Sequence, residues 1–237
     1  MMKTLITLLL GMLVGVALFG LTMLYNPFIA DRGISPLSVS SSELVALNYS
    51  AVPSDAIIFT NDGDSLQKPF PEKVLQLWEA PIRKTSAMTT VMRDGRSQTA
   101  GIGIKFSSLS ERTQLLKGHA LVDSVWYVYL PKRGSLFLQQ SENYWPFLRD
   151  VGWPAFRSGA NNWKGSWIGD LTTGPGVLGT ALVTGGSGSF RGLQMDGVES
   201  LSAHAFSADH GPISAEGRIL IEMPDTVVEL EPAAAVD

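Results

Sequence analysis

The sequence contains no cysteine among its 237 residues. This absence excludes disulfide bonds, a lipoprotein thioether anchor, cysteine nucleophiles and metal sites built from thiolates. A domain of this size without disulfides must be stabilised by its own hydrophobic core, and about two hundred residues are enough to form one.

The chain also lacks an excess of basic residues. Its 18 Lys and Arg stand against 22 Asp and Glu, for a formal net charge of −4. Binding to a phosphate backbone requires a basic face. The composition therefore predicts no nucleic-acid partner.

Motifs for metals, nucleotides and serine hydrolysis are missing as well. The three histidines, His119, His204 and His210, have too few neighbouring ligands to form a metal site. A dinucleotide fingerprint would need glycine where Arg191 stands, and no P-loop ending or Gly-x-Ser-x-Gly elbow occurs. We therefore predict neither a metal nor a cofactor.

Charge is absent from the segment between Leu5 and Tyr25, which is apolar on every helical face. At ~1.5 Å per residue such a helix would be roughly 31 Å long, which matches a bilayer core. We predict a transmembrane anchor in the lipid bilayer. A cleaved signal peptide is the alternative, with Gly15-Val16-Ala17 as the cleavage site.

The positive-inside rule orients this anchor. Lys3 precedes the segment, whereas Arg32 after it is offset by Asp31. We predict a single-pass protein of the cytoplasmic membrane, with residues 1–4 cytoplasmic and the folded domain extracytoplasmic. Residues 26–48 would be a linker, residues 49–225 the domain and residues 226–237 an acidic tail.

Most of the domain shows strand patterns separated by turn residues. The runs 121–130 and 135–140 flank a turn at Pro131–Gly134, and four further runs follow between 166 and 224. Short helices are predicted only over Pro71–Trp78 and Ser107–Leu116. The pattern is mainly β and favours an antiparallel barrel or sandwich.

One motif carries a family resemblance. The stretch TGGSGSFRG, from Thr184 to Gly192, resembles the signature of allene oxide cyclase and dirigent-like barrels. The long strand after it, the turn at His210-Gly211-Pro212 and the closing strand also resemble that family. We expect the motif to build the barrel and not to bind a ligand, because its glycines suit a tight reversal and a bend. These glycines are Gly185, Gly186, Gly188 and Gly192.

The resemblance implies an antiparallel barrel whose interior binds a hydrophobic small molecule. Enzymes of this family cyclise or steer reactive intermediates without a cofactor. Relatives often associate through the outer face of the barrel, so the resemblance also leaves a homo-oligomer open. The cysteine near the reaction site of allene oxide cyclases is missing here, and no catalytic residue can be carried over.

Candidate site residues follow from strand alternation and from the aromatic content. Asp196 and His204 share one face of the strand after the motif, and Glu199 lies on the other. If the first face lines the barrel, Asp196 and His204 are candidates for acid–base catalysis. The candidate ligand-binding residues are aromatic: Trp126, Tyr144, Trp153 and Trp163.

Two functions remain open at this point. The first is a cofactor-free cyclase or isomerase, and the second is a non-catalytic binding or scaffold module on the same barrel. An enzyme should contain an interior pocket with at least two convergent polar groups. A scaffold should have its barrel filled by its own side chains.

Overall fold

A computed structural model of the protein describes residues 10–20, 43–52 and 85–223. Residues 10–20 are helical. None of the helices in the described ranges is both long and apolar enough to span a bilayer. The predicted helix Pro71–Trp78, most of the predicted linker and the acidic tail lie outside the described residues.

The domain is mainly β, as predicted, with ten strands in the described ranges. They are β1 (Leu44–Ser50), β2 (Thr85–Arg93), β3 (Thr99–Leu109), β4 (Leu121–Leu130), β5 (Gly134–Asn143), β6 (Asn162–Asp170), β7 (Thr172–Gly174), β8 (Ala181–Gly185), β9 (Gln194–Ser207) and β10 (Gly211–Glu222). β1 begins inside the range predicted as linker. The predicted hairpin at Pro131–Gly134 joins β4 to β5.

Eight of these strands close into an antiparallel barrel. Neighbours follow the order β1, β2, β3, β4, β5, β8, β9 and β10, and β10 pairs back onto β1. The pairing of β1 with β2 is limited to Asn48 and Arg93. The barrel prediction is confirmed at this level.

The two remaining strands complete one wall of the barrel. β6 pairs with the second half of β9, and β7 pairs with the end of β5. A helical segment precedes β6 and consists of α-helix at Trp145–Phe147, π-helix at Leu148–Gly152 and α-helix at Trp153–Arg157. We call the end of the barrel beside this segment the helix end, and the opposite end the hairpin end.

Strand alternation divides the barrel interior into layers. A large apolar cluster fills the half toward the hairpin end and includes Leu47, Trp126, Leu138 and Ile219. A smaller cluster at the helix end contains Phe147, Val151, Leu171, Leu201, Ala203 and Ala215. Between the two clusters, inward positions of several strands carry polar side chains.

The predicted helix over Ser107–Leu116 is wrong. Ser107–Leu109 belong to β3 and pair with β4 as far as Val122. Only Leu115–Lys117 form a short 3₁₀ turn, and Leu115 and Leu116 are exposed. The hydrogen bonds to β4 satisfy the backbone of Ser107–Leu109. A helix in this place would have no apolar surface to pack its apolar side against, and packing supplies most of the stability of a short helix.

The TGGSG motif forms the turn between β8 and β9. A methyl group at Gly185 would lie 1.5 Å from the carbonyl oxygen of Phe190, so only glycine allows this approach. Gly188 adopts φ +62°, which favours glycine. Gly185 and Gly186 have no positive φ, whereas Gly192 has φ +75°. Phe190 itself is fully buried in the large cluster.

Replacing this glycine provides a test of the turn. We expect Gly185→Ala to lower the free energy of unfolding by about 2–3 kcal/mol, because its methyl group must displace a backbone carbonyl. Gly95→Ala is the control, since a methyl group there contacts nothing within 4 Å. Denaturant unfolding measures both, and equal stabilities of the two variants would contradict the packing described.

Candidate functional site

The centre of the polar layer is Lys105, an inward residue of β3 that is only 5% exposed. Its ammonium nitrogen lies 2.5 Å from Oε1 of Glu142 and 2.8 Å from Oε1 of Glu199. Both glutamates are fully buried. One cation thus holds two carboxylates inside the barrel, where each charge would be costly alone.

Glu199, on β9, accepts hydrogen bonds at both of its carboxylate oxygens. The Tyr49 hydroxyl donates to Oε1, and Trp126 Nε1 donates to Oε2 at 2.9 Å. Gly217, opposite Tyr49 on β10, leaves the space that the phenol ring occupies. Every oxygen of Glu199 is therefore satisfied, as a buried carboxylate requires.

Glu142, at the end of β5, is satisfied on one side only. Its Oε1 accepts from Ser124 at 2.7 Å and from Gln140 at 2.5 Å, in addition to Lys105. Its Oε2 has no hydrogen-bond partner among the described residues. Glu142 is therefore the exception in an otherwise bonded network.

Gln140 and Thr172 join the two glutamates. The Gln140 amide also donates to Oε2 of Glu199, and its oxygen accepts from Thr172 at 2.7 Å. The Thr172 hydroxyl in turn accepts from the backbone N–H of Glu199 at 2.7 Å. These bonds fix the position of both carboxylates relative to the backbone.

The surroundings separate the pKa values of the two glutamates. Burial, and then the charge of Glu199, raise the pKa of Glu142 to about 7. Burial also acts on Glu199, but Lys105 and the hydrogen bonds from Tyr49 and Trp126 lower its pKa. Although burial opposes it, the charge of Glu199 raises the pKa of Lys105. Glu142 is therefore the member of the cluster that exchanges a proton near neutral pH.

A cavity of about 160 Å³ lies on the helix-end side of this cluster. Three polar side chains reach its wall: Tyr49, Lys105 and Tyr144. Its other described lining residues are apolar or small: Ala51, Met88, Phe147, Leu201, Ala203, Ala205, Phe206, Pro212 and Ala215. The size is close to that of cavities that bind benzene.

The helical segment covers this end of the barrel. Phe147 packs edge-on against Trp167 and Phe206, with ring centroids 5.3 Å apart in each pair. Tyr144, just before the segment, lines the cavity, and burial followed by the charges of Glu142 and Glu199 raises the pKa of its phenol. Tyr144 therefore remains a hydrogen-bond donor at neutral pH.

Strand alternation correctly put Asp196 and His204 on one face of β9 and Glu199 on the other. The structure places Asp196 and His204 on the outer face, where both are exposed. Asp196 accepts a hydrogen bond from Thr180 at 2.7 Å. A catalytic role for these two residues stays a prediction, and the barrel interior does not bring them together.

The four aromatic candidates lie in different places. Tyr144 lines the cavity, whereas Trp126 is fully buried one layer deeper and holds Glu199. Trp163 packs against the smaller apolar cluster. Trp153 is 43% exposed and stacks on Phe156 outside the barrel. Ligand contact by these four residues stays a prediction.

Sequence reasoning missed the Lys105–Glu142 pair. A signal was present, because both residues occupy inward positions in strands whose other inward residues are mostly apolar or small. This signal can be used only when the strand boundaries are known and when it is known that the strands close into a barrel. Among the described residues, no three side chains of the metal-binding types lie close enough together to hold an ion.

No protein-family model matches the chain, and none of the curated proteins is significantly similar to it. Among solved structures, one similar chain is described as a nonspecific heme-binding cyclase that catalyses [4 + 2] cycloaddition during neoabyssomicin biosynthesis. The identity is 9%, the TM-score is 0.37, and the match covers 82% of this chain and 74% of that one. At this level the neighbour's activity carries no argument about this chain.

The raised pKa of Glu142 predicts how stability depends on pH. A pKa of about 7 in the folded state against 4.5 in the unfolded state means that the folded state binds the proton more tightly. This stabilisation is present below pH 4.5 and is lost as the pH rises through 7. Between these values wild type should lose at most about 1.4 kcal/mol per pH unit relative to Glu142→Gln.

Denaturant unfolding at pH 5, 6, 7 and 8 measures this difference. The lowered pKa of Glu199 acts only below 4.5, outside this window. Glu216→Gln, on the outer face of β10, is the matched control and should follow wild type. Parallel stability curves for wild type and Glu142→Gln would contradict the assignment.

Proposed function

We propose that this barrel binds a hydrophobic small molecule in the cavity at its helix end and acts on it as a cofactor-free isomerase or cyclase. The observation that carries the proposal is the convergence of Tyr49, Lys105 and Tyr144 on one cavity that is otherwise apolar. Binding sites for small molecules typically combine an apolar lining with a few fixed polar groups.

The positions of the polar groups support chemistry as well as binding. Hydrogen bonds within the cluster hold Lys105 and Tyr49 in place, so neither has to reorganise when charge develops on a ligand. Glu142, with a pKa of about 7, can give up or accept a proton near neutral pH. The cavity would also hold the ligand in one reactive conformation, and this confinement would supply the rest of the rate enhancement.

A non-catalytic binding or scaffold module is the second candidate. The large apolar cluster fills the half of the barrel toward the hairpin end with the protein's own side chains. A barrel used only as a scaffold would be filled in this way. The cavity at the helix end favours the first candidate.

Binding of benzene to the full-length protein tests the ligand-binding part of the proposal. Benzene should shift the methyl resonances of Met88, Ala203 and Ala215, which line the cavity. Ala203→Leu fills the cavity and should weaken the binding of benzene at least tenfold. Ala208→Leu, at an exposed position after β9, is the control and should bind as wild type does.

These resonances report on the cavity directly, so the negative result is informative. If benzene leaves the three methyl groups unchanged, or if Ala203→Leu binds it as tightly as wild type, the cavity is not a ligand site. The proposal then falls.

We also propose that residues 5–25 anchor the barrel in a membrane, where a hydrophobic ligand would partition. The support is the uncharged apolar sequence of this segment. Full-length protein should stay with the membrane pellet after alkaline extraction, whereas a variant lacking residues 1–31 should be released. Release of the full-length protein would refute the anchor.

A further inference from the structure

The charges at the cavity wall limit the kinds of ligand that the cavity can bind. Lys105 is the charged residue among the described lining side chains, and no carboxylate is among them to pair with a cationic ligand. That ammonium is already neutralised by Glu199, and Glu142 adds a second carboxylate behind it. An anionic ligand would therefore find no uncompensated positive charge, and burying it would be costly. A neutral ligand fits this arrangement best.

Of the three polar side chains at the cavity, Tyr49 donates its hydroxyl proton to Glu199, which leaves Lys105 and Tyr144 as donors for a ligand. Lys105 directs two of its three ammonium hydrogens to Glu142 and Glu199, and its nitrogen also lies 5.3 Å from the centroid of the Trp126 ring. Its third hydrogen remains for a ligand. The Tyr144 hydroxyl is the second donor, because its raised pKa keeps the phenol protonated. Two donors at one apolar cavity suit a single acceptor oxygen on the ligand.

We propose that the site binds a neutral ketone or related carbonyl compound, whose oxygen accepts hydrogen bonds from Tyr144 and Lys105. This inference rests on the proposed function, since it names the substrate class of the same cavity. Any chemistry would then begin from a carbonyl group that these two donors polarise.

A pair of probes of nearly equal shape tests the carbonyl assignment. Cyclohexanone and methylenecyclohexane differ in one oxygen that replaces a CH₂ group, and both suit a cavity of about 160 Å³. Binding to the full-length protein is followed through the methyl resonances of Met88 and Ala203. The quantity measured is the ratio of the two affinities, which removes the hydrophobic contribution common to both probes.

Removing the tyrosine hydroxyl should lower this ratio. We expect Tyr144→Phe to reduce the preference for cyclohexanone over methylenecyclohexane by about 2- to 10-fold, the effect of one hydrogen bond. Tyr129→Phe, which removes a hydroxyl from the exposed outer face of β4, should leave the ratio unchanged. An unchanged ratio in Tyr144→Phe, with methylenecyclohexane still bound, overturns this inference and leaves the proposed function standing.

Charged analogues test the neutrality of the ligand. Cyclohexylammonium and cyclohexanecarboxylate should bind more weakly than cyclohexanone, and tighter binding of either overturns the proposed ligand class. If none of the probes binds, the proposed function fails and this inference fails with it.

Discussion

The contact of Lys105 with Glu142 and Glu199 is the interaction on which the rest of the interior depends. It joins β3, β5 and β9, and no two of these strands are adjacent in the barrel. Removing one partner from a buried ion pair typically costs about 3–5 kcal/mol, because the other charge is left uncompensated. The polar layer therefore constrains how the barrel closes.

This layer also explains why the two halves of the interior differ. Toward the hairpin end, inward positions carry large apolar side chains that fill the barrel, with Trp126 at the boundary. Toward the helix end the inward residues of β9 and β10 include Ala203, Ala205 and Ala215, which are too small to fill the space. The result is a cavity with a charged floor, and the helical segment with Phe147 forms its cover.

Much of the fold could be predicted because it depends on local patterns. The hairpin at Pro131–Gly134 and the strands after Ser166 follow from alternation and turn residues, and the TGGSG turn does form between β8 and β9. The helix predicted over Ser107–Leu116 failed because its pairing partner, β4, is supplied by tertiary structure. Short apolar runs are ambiguous until such partners are known.

The candidate site could be predicted only in part. Alternation along β9 correctly separated Asp196 and His204 from Glu199, but it does not say which face points inward. That choice depends on the pairing of β9 with β8 and β10, which involves residues distant in sequence. The same holds for Lys105 and Glu142, which come together only when the ring is closed.

The proton on Glu142 is the central claim, and carbon-13 NMR of the glutamate side-chain carboxyl groups measures it most directly. In full-length protein one buried glutamate should titrate near pH 7, and its signal should be missing from Glu142→Gln. If every glutamate carboxyl in the wild-type protein titrates below pH 5, Glu142 is ionised at neutral pH. The described role of the polar layer is then contradicted.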